Sequence, residues 1–199
     1  STRRASMEPA RLAALLEERL DAELSPARAA HSRGVAALAA SLCARAGLEP
    51  ERGRAAGLAH DLCKELPPER QAALAAASGY ALESGFLSEK ILHGPAAAEL
   101  LREDYGVEDA ELLASVAWHT LGRAGMGLLE TFVYCADKIE PGRRDVDPAF
   151  RARALSLPPE EMLAAVVENT MAYLSSRGRA VAPETLNLYN TLRDPVQQT

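Results

Sequence analysis

The chain is poor in cysteine, with three residues, Cys43, Cys63 and Cys135, odd in number and far apart. No CxxC pair occurs, which excludes a disulfide framework and a closed thiolate zinc site and reads as reduced thiols in a cytoplasmic protein. Each cysteine is expected to serve as a small buried hydrophobe. Aromatic residues are only 5% of the chain, and alternating apolar–polar segments are nearly absent, so a sheet-rich fold is disfavoured. No apolar run is long enough to span a bilayer. Positive charge is also in deficit: the net charge of −6 argues against a general nucleic-acid surface but leaves room for a phosphate ligand, because a metal can reverse the sign of a pocket.

What is present is alanine, leucine and well-placed helix punctuation. With 199 residues, the chain can bury one good core. A first amphipathic run covers residues 9–23, and a second opens with Ser25 as N-cap and Pro26 at the first helical position and closes at Gly47. A third follows Pro50 and carries "GRAAGLAHDLCKEL" until Pro67-Pro68 stop it. "PPERQAALAAASG" reads as a short fourth helix. Gly94-Pro95 predicts a break directly after His93, with a helix beginning there. Asp109 is placed to cap the next helix, with His119 in its last turn, and "MGLLETFVYCADKIEPGRR" is a mainly apolar helix ending before Pro141. Further helices follow to the end. The expectation is an all-α, single-domain helical bundle over residues 9–193, with a disordered start at 1–8 and a C-terminal tail at 194–199. The start turns from basic to amphipathic and acidic and does not read as a signal peptide.

The chemistry is concentrated in few residues. The four histidines, His31, His60, His93 and His119, fall on different helical segments, none in an exposed polar run. Any one alone reads most simply as a core histidine with a satisfied hydrogen bond. Asp61, beside His60, and Asp137, in the otherwise apolar "LLETFVYCAD", change that reading. A helical bundle can point such a set at one centre, and imidazole with carboxylate suits iron, manganese, cobalt, nickel or zinc.

The order His31, His60-Asp61, His93, His119, Asp137 resembles the HD-domain phosphohydrolases. The flanking words "AGLAHDLCKE", "ILHGPAAAELL", "VAWHTLGRAGMGLLE", "VYCADKIEPGRR" and "PETLNLYNTL" look like the YqeK-type branch, the symmetrical bis(5′-nucleosyl)-tetraphosphatases. The resemblance implies an all-helical fold and a metal held by His31, His60, Asp61 and Asp137. His93 and His119 either hold a second metal, bridged by Asp61, or contact phosphate oxygens directly. It further implies one or two divalent transition metals, iron foremost, with manganese or cobalt as alternatives. The implied substrate is diadenosine tetraphosphate and the product ADP; no nucleic-acid or membrane partner is expected, and the alanine-rich helices could support a homodimer.

Under that resemblance Asp61, Lys64, His93 and His119 form the catalytic set. Lys64, one helical turn beyond His60, and Arg143, after the "IEP" break, are candidates for stabilising phosphoryl charge. Each competes with the reading of an ordinary surface cation, which is favoured for Arg123 and Arg144. Thr120 could donate a hydroxyl to phosphate, and Gly34, one turn after His31, could admit a ligand or permit tight helix packing. Val181, Pro183 and Thr185 could close over a base or ribose, or simply cap the last helix. The alternatives to this function are another HD-type nucleotide phosphohydrolase or phosphodiesterase, with the same ligands, and a nucleotide-binding regulatory module with little turnover.

Overall fold

The computed structural model describes residues 7–82 and 89–193; the expected tail at 194–199 and most of the expected disordered start lie outside them. Ten helices and no strand are present among the described residues, so the all-α expectation holds. They are α1 (Pro9–Glu23), α2 (Pro26–Arg45), α3 (Pro50–Ala59), α4 (Pro68–Ala77), α5 (Glu89–Tyr105), α6 (Ala110–Ala117), α7 (Leu128–Ile139), α8 (Pro148–Ser156), α9 (Pro159–Ser176) and α10 (Pro183–Arg193). Seven of them, α1 to α4 and α8 to α10, begin on a proline, whose fixed φ and missing N–H suit that position. None of the described helices is long and apolar enough to cross a membrane.

The apolar helix α7 is the centre of the bundle. Phe132, Val133, Tyr134, Cys135, Ala136 and Ile139 are all buried, and α2, α6 and α9 pack around them. All three cysteines are buried and unpaired. Small residues bring the other helices close. A Cβ added to Gly57 would lie 2.5 Å from Ala36 Cα, and one added to Gly94 would lie 2.7 Å from the Ala117 carbonyl oxygen. Only glycine permits these α3–α2 and α5–α6 approaches, and each sits within three residues of a site histidine.

Three local expectations are corrected. First, α3 ends at Ala59, and residues 60–65 form tight turns instead of continuing the helix. The bonds there run to the third residue back, Leu62 N–H to Ala59 at 3.0 Å and Lys64 N–H to Asp61 at 2.8 Å. Lys64 therefore does not lie one α-helical turn along a shared face from His60. Second, α5 runs unbroken through Pro95, so His93 is a mid-helix residue. The residue before a proline is normally driven from helical geometry partly by its Cβ, and Gly94 has none. Third, Ser25 occupies the cap position of α2 without capping it; its Oγ–H donates to Glu65 at 2.7 Å. Asp109 does cap α6, accepting from the Glu111 and Leu112 N–H groups at 3.1 and 3.0 Å, and His119 falls just past that helix.

Candidate metal centre

Two helix ends supply two of the histidines in the same way. His60 follows the last residue of α3 and donates Nδ1–H to the Gly57 carbonyl at 2.6 Å. His119 follows the end of α6 and donates Nδ1–H to the Val116 carbonyl at 2.7 Å. Carbonyls in the last turn of a helix need partners, and a histidine three residues on provides one. Because a carbonyl can only accept, the proton is fixed on Nδ1 and Nε2 keeps its lone pair, the tautomer a metal requires. His60 Nε2 is fully buried and has no hydrogen-bond partner.

The carboxylates lie where these lone pairs converge. Asp61 Oδ1 is 3.1 Å from His93 Nε2 and 3.7 Å from His119 Nε2, and Asp61 Oδ2 is 3.6 Å from His60 Nε2. Asp137 Oδ1, on α7, is 3.0 Å from His31 Nε2 and 3.6 Å from His60 Nε2. His93 Nε2 and His119 Nε2 are 3.0 Å apart. Two donor groups emerge, His31–His60–Asp137 and His60–Asp61–His119, each with its donor atoms within 4.8 Å of one another and sharing His60. All six expected metal ligands are thus brought together, with His93 beside the second group.

Burial would raise the Asp61 carboxyl, but the neighbouring His60, with His119 and His93, outweighs it and holds the group well below the ordinary range. Burial works likewise on Asp137, where Lys138, His31 and His60 prevail. Burial would lower the His60 imidazole, yet the two aspartates raise it. Burial wins at His93, which is lowered, and at His119, which is pushed down to about 3. Two ionised carboxylates facing imidazoles, His93 and His119 among them lowered towards the neutral form, and the orphaned buried Nε2 of His60 fit a divalent cation of the nitrogen- and oxygen-binding kind.

The surrounding cations are ordered by the carboxylates. Arg143 donates to Asp137 Oδ1 at 3.0 Å, and Lys138 to Asp137 Oδ2 at 3.0 Å. Lys64 Nζ is 3.2 Å from His93 Nε2, and burial lowers its ammonium pKa. Thr120 Oγ1 lies 3.1 Å from His119 Nε2. Beside them opens a cavity of about 450 Å³, lined by the polar Thr120, Asp137, Lys138 and Arg143 and by Ile91, Tyr173, Leu174 and Thr185. Thr185 is also structural, donating its hydroxyl to the Leu121 carbonyl at 2.7 Å. Val181 and Pro183 flank the cavity residue Ala182 without lining the cavity themselves. Gly34 faces Glu140, whose Oε2 would be 2.5 Å from an added Cβ. Arg123 pairs with the buried Glu130 at 2.7 Å, tying the 122–127 loop to α7.

Sequence reasoning missed three side chains. Glu140 accepts from His31 Nδ1 at 3.1 Å and so turns Nε2 of that ring towards Asp137. Arg28 pairs with Asp61 Oδ2, and Lys138 donates to both Asp137 and the His119 carbonyl. The available signal was spacing: Arg28 lies three residues before His31, and Lys138 and Glu140 one and three after Asp137, on the elements that carry ligands.

An all-helical bundle that gathers four imidazoles and two carboxylates into two adjoining donor groups has the donor set of the helical metal-dependent hydrolases. The family model described as HD domain matches residues 28–166. The chain is 31% identical over 172 residues to the symmetrical bis(5′-nucleosyl)-tetraphosphatase of Bacillus subtilis (strain 168), covering 85% of this chain and 91% of that relative. It is 31% identical over 171 residues to the protein of that name from Staphylococcus aureus (strain NCTC 8325 / PS 47), covering 80% and 85% of the two chains. A crystal structure from Clostridium acetobutylicum, described as a predicted HD superfamily hydrolase involved in NAD metabolism, superposes with a TM-score of 0.84 at 29% identity, covering 95% of this chain and 98% of that one. The chain belongs to the HD domain family and, within it, to the group of symmetrical bis(5′-nucleosyl)-tetraphosphatases.

Proposed function

We propose that this protein hydrolyses diadenosine tetraphosphate and related dinucleoside polyphosphates symmetrically, giving two nucleoside diphosphates. The observation that carries the reading is the convergence of six ligand-type side chains, from five stretches of the chain, beside a basic cavity with apolar walls. The relatives' names supply the substrate class. The domain is taken as residues 9–193, the compartment as the cytoplasm, supported by three free buried cysteines.

His31, His60, Asp61 and Asp137 would hold the principal metal, iron foremost, with manganese or cobalt as alternatives. His93 and His119 would complete a second position with Asp61 or meet phosphate directly. A divalent metal held there would lower the pKa of a bound water and polarise a phosphoryl oxygen. The protein's own groups do the rest. Glu140 and the Gly57 and Val116 carbonyls hold His31, His60 and His119 in fixed tautomers. Arg143 and Lys138, fastened to Asp137, present positive charge to the phosphoryl oxygens, and Lys64 adds another near His93. Thr120 offers a hydroxyl at the mouth of the cavity. The leaving nucleoside diphosphate departs as an anion, so charge stabilisation matters more than protonation.

Metal-loaded protein incubated with diadenosine tetraphosphate should yield ADP alone on product separation. ATP with AMP, or no turnover with iron, manganese or cobalt, would overturn the reading.

A further inference from the structure

A second cavity, of about 490 Å³, borders the ligand cluster at His31 and is lined by Ser25, Arg28, His31, Glu140, Gly142 and Arg144, among others. It shares Arg143 and Asp145 with the first cavity. The two spaces meet at the His31–Asp137 contact of 3.0 Å, since His31 lines one and Asp137 the other. Their walls differ. The first has Ile91, Leu121, Val146, Tyr173 and Leu174; the second has no large apolar side chain. Of the second cavity's three arginines, Arg28 pairs with Asp61 and Arg143 with Asp137, while Arg144 has no ion pair among the described residues; of its two carboxylates, Glu140 is engaged by His31 and the Gly142 N–H. Glu65 takes up the N–H and hydroxyl of Ser25, and the arginines are the positive side chains that line the cleft.

A dinucleoside tetraphosphate cut at its centre has two equal arms. In-line attack sets the leaving oxygen opposite the attacking one, so the arms diverge at the reacting phosphorus. Water adds its oxygen to that phosphorus, the bond to the central bridging oxygen breaks, and this oxygen leaves with the other half while the proton passes to solvent. The two arms therefore need space on both sides of the reacting phosphorus. We propose that the cleft of Arg28, Arg143 and Arg144 is a second nucleoside diphosphate subsite, which holds the other half of the substrate by its phosphates and leaves its base unread. This assignment rests on the reaction proposed above and locates its second arm.

Arg144 is exposed and makes no ion pair among the described residues, which makes it the residue to change. Metal-loaded wild-type protein should bind two ADP per chain in a calorimetric titration. Arg144→Glu should bind one and show a KM for diadenosine tetraphosphate raised about tenfold, the loss of roughly one charge-assisted contact. Arg144→Lys should recover most of it, and circular dichroism should show unchanged helix in both. A wild type that binds a single ADP, or an Arg144→Glu protein with unchanged KM and two bound ADP, overturns the subsite. A wild type that binds two ADP, loses one in Arg144→Glu, yet cleaves no tetraphosphate overturns the reaction and leaves the subsite standing.

Discussion

His60 and His119 show how a backbone sets up side-chain chemistry. Each sits just past a helix end and donates Nδ1–H to the carbonyl three residues back, which leaves Nε2 bare and aimed inward. His31 has no such carbonyl and uses the carboxylate of Glu140 in its place. Partners of this kind typically change metal affinity about 10–100-fold when removed. Glu140→Ala should therefore weaken metal binding by that order in a chelator competition, while Glu140→Gln, which keeps an acceptor, should lose less; equal affinity in all three would sink the orienting role. Asp61 lies against three of the four histidines, and Asp61→Ala should abolish metal binding and activity with helical content preserved. Retained turnover would refute its central position. The six candidate ligands were proposed from residue type, order and flanking words. Glu140 was not, because an acidic residue after a helix is ordinary until His31, 109 positions away in the chain, is seen against it.

The helices reach the site through contacts that tolerate no extra atoms. Gly57 lets α3 lie on α2 and presents His60 towards His31; Gly94 lets α5 lie against the end of α6 and presents His93 towards His119. Gly57→Ala gains helix propensity but overpacks, and should destabilise by about 1–3 kcal/mol, measured by denaturant midpoint. A neutral or stabilising result would show the interface to be plastic. Helix α6 offers a pH test away from the metal. Burial would raise the Asp109 carboxyl, but Arg52 and the Leu112 and Glu111 N–H groups hold it below 3.8. A lowered carboxylate contributes stability above its unfolded pKa and loses it as pH falls through the folded one. Asp109→Asn, which keeps a capping oxygen and loses the Arg52 ion pair, should be less stable at pH 7 by roughly 1 kcal/mol and converge with wild type in acid. A pH-independent difference would refute the ionic contribution. The caps and prolines made these elements legible; the end of α3 and the continuity of α5 were not. There, side-chain bonds and a missing Cβ overrode the usual signals.

As a whole, the bundle stores two buried carboxylates that a cation should neutralise. Metal binding to the folded form alone must raise stability. Chelation should lower the melting temperature without changing far-ultraviolet circular dichroism, and added metal should restore it; an unchanged melting temperature would argue that these groups hold no ion. The fold class, the helix starts and the residue types able to bind metal and phosphate follow from local order along the chain, because caps, prolines and apolar spacing act over a few residues. The tautomers, the roles of Glu140, Arg28 and Lys138, and the pair of cavities meeting at His31 and Asp137 came from tertiary packing. Those contacts join positions up to 109 apart, and no local pattern encodes which side chains will face each other across a core.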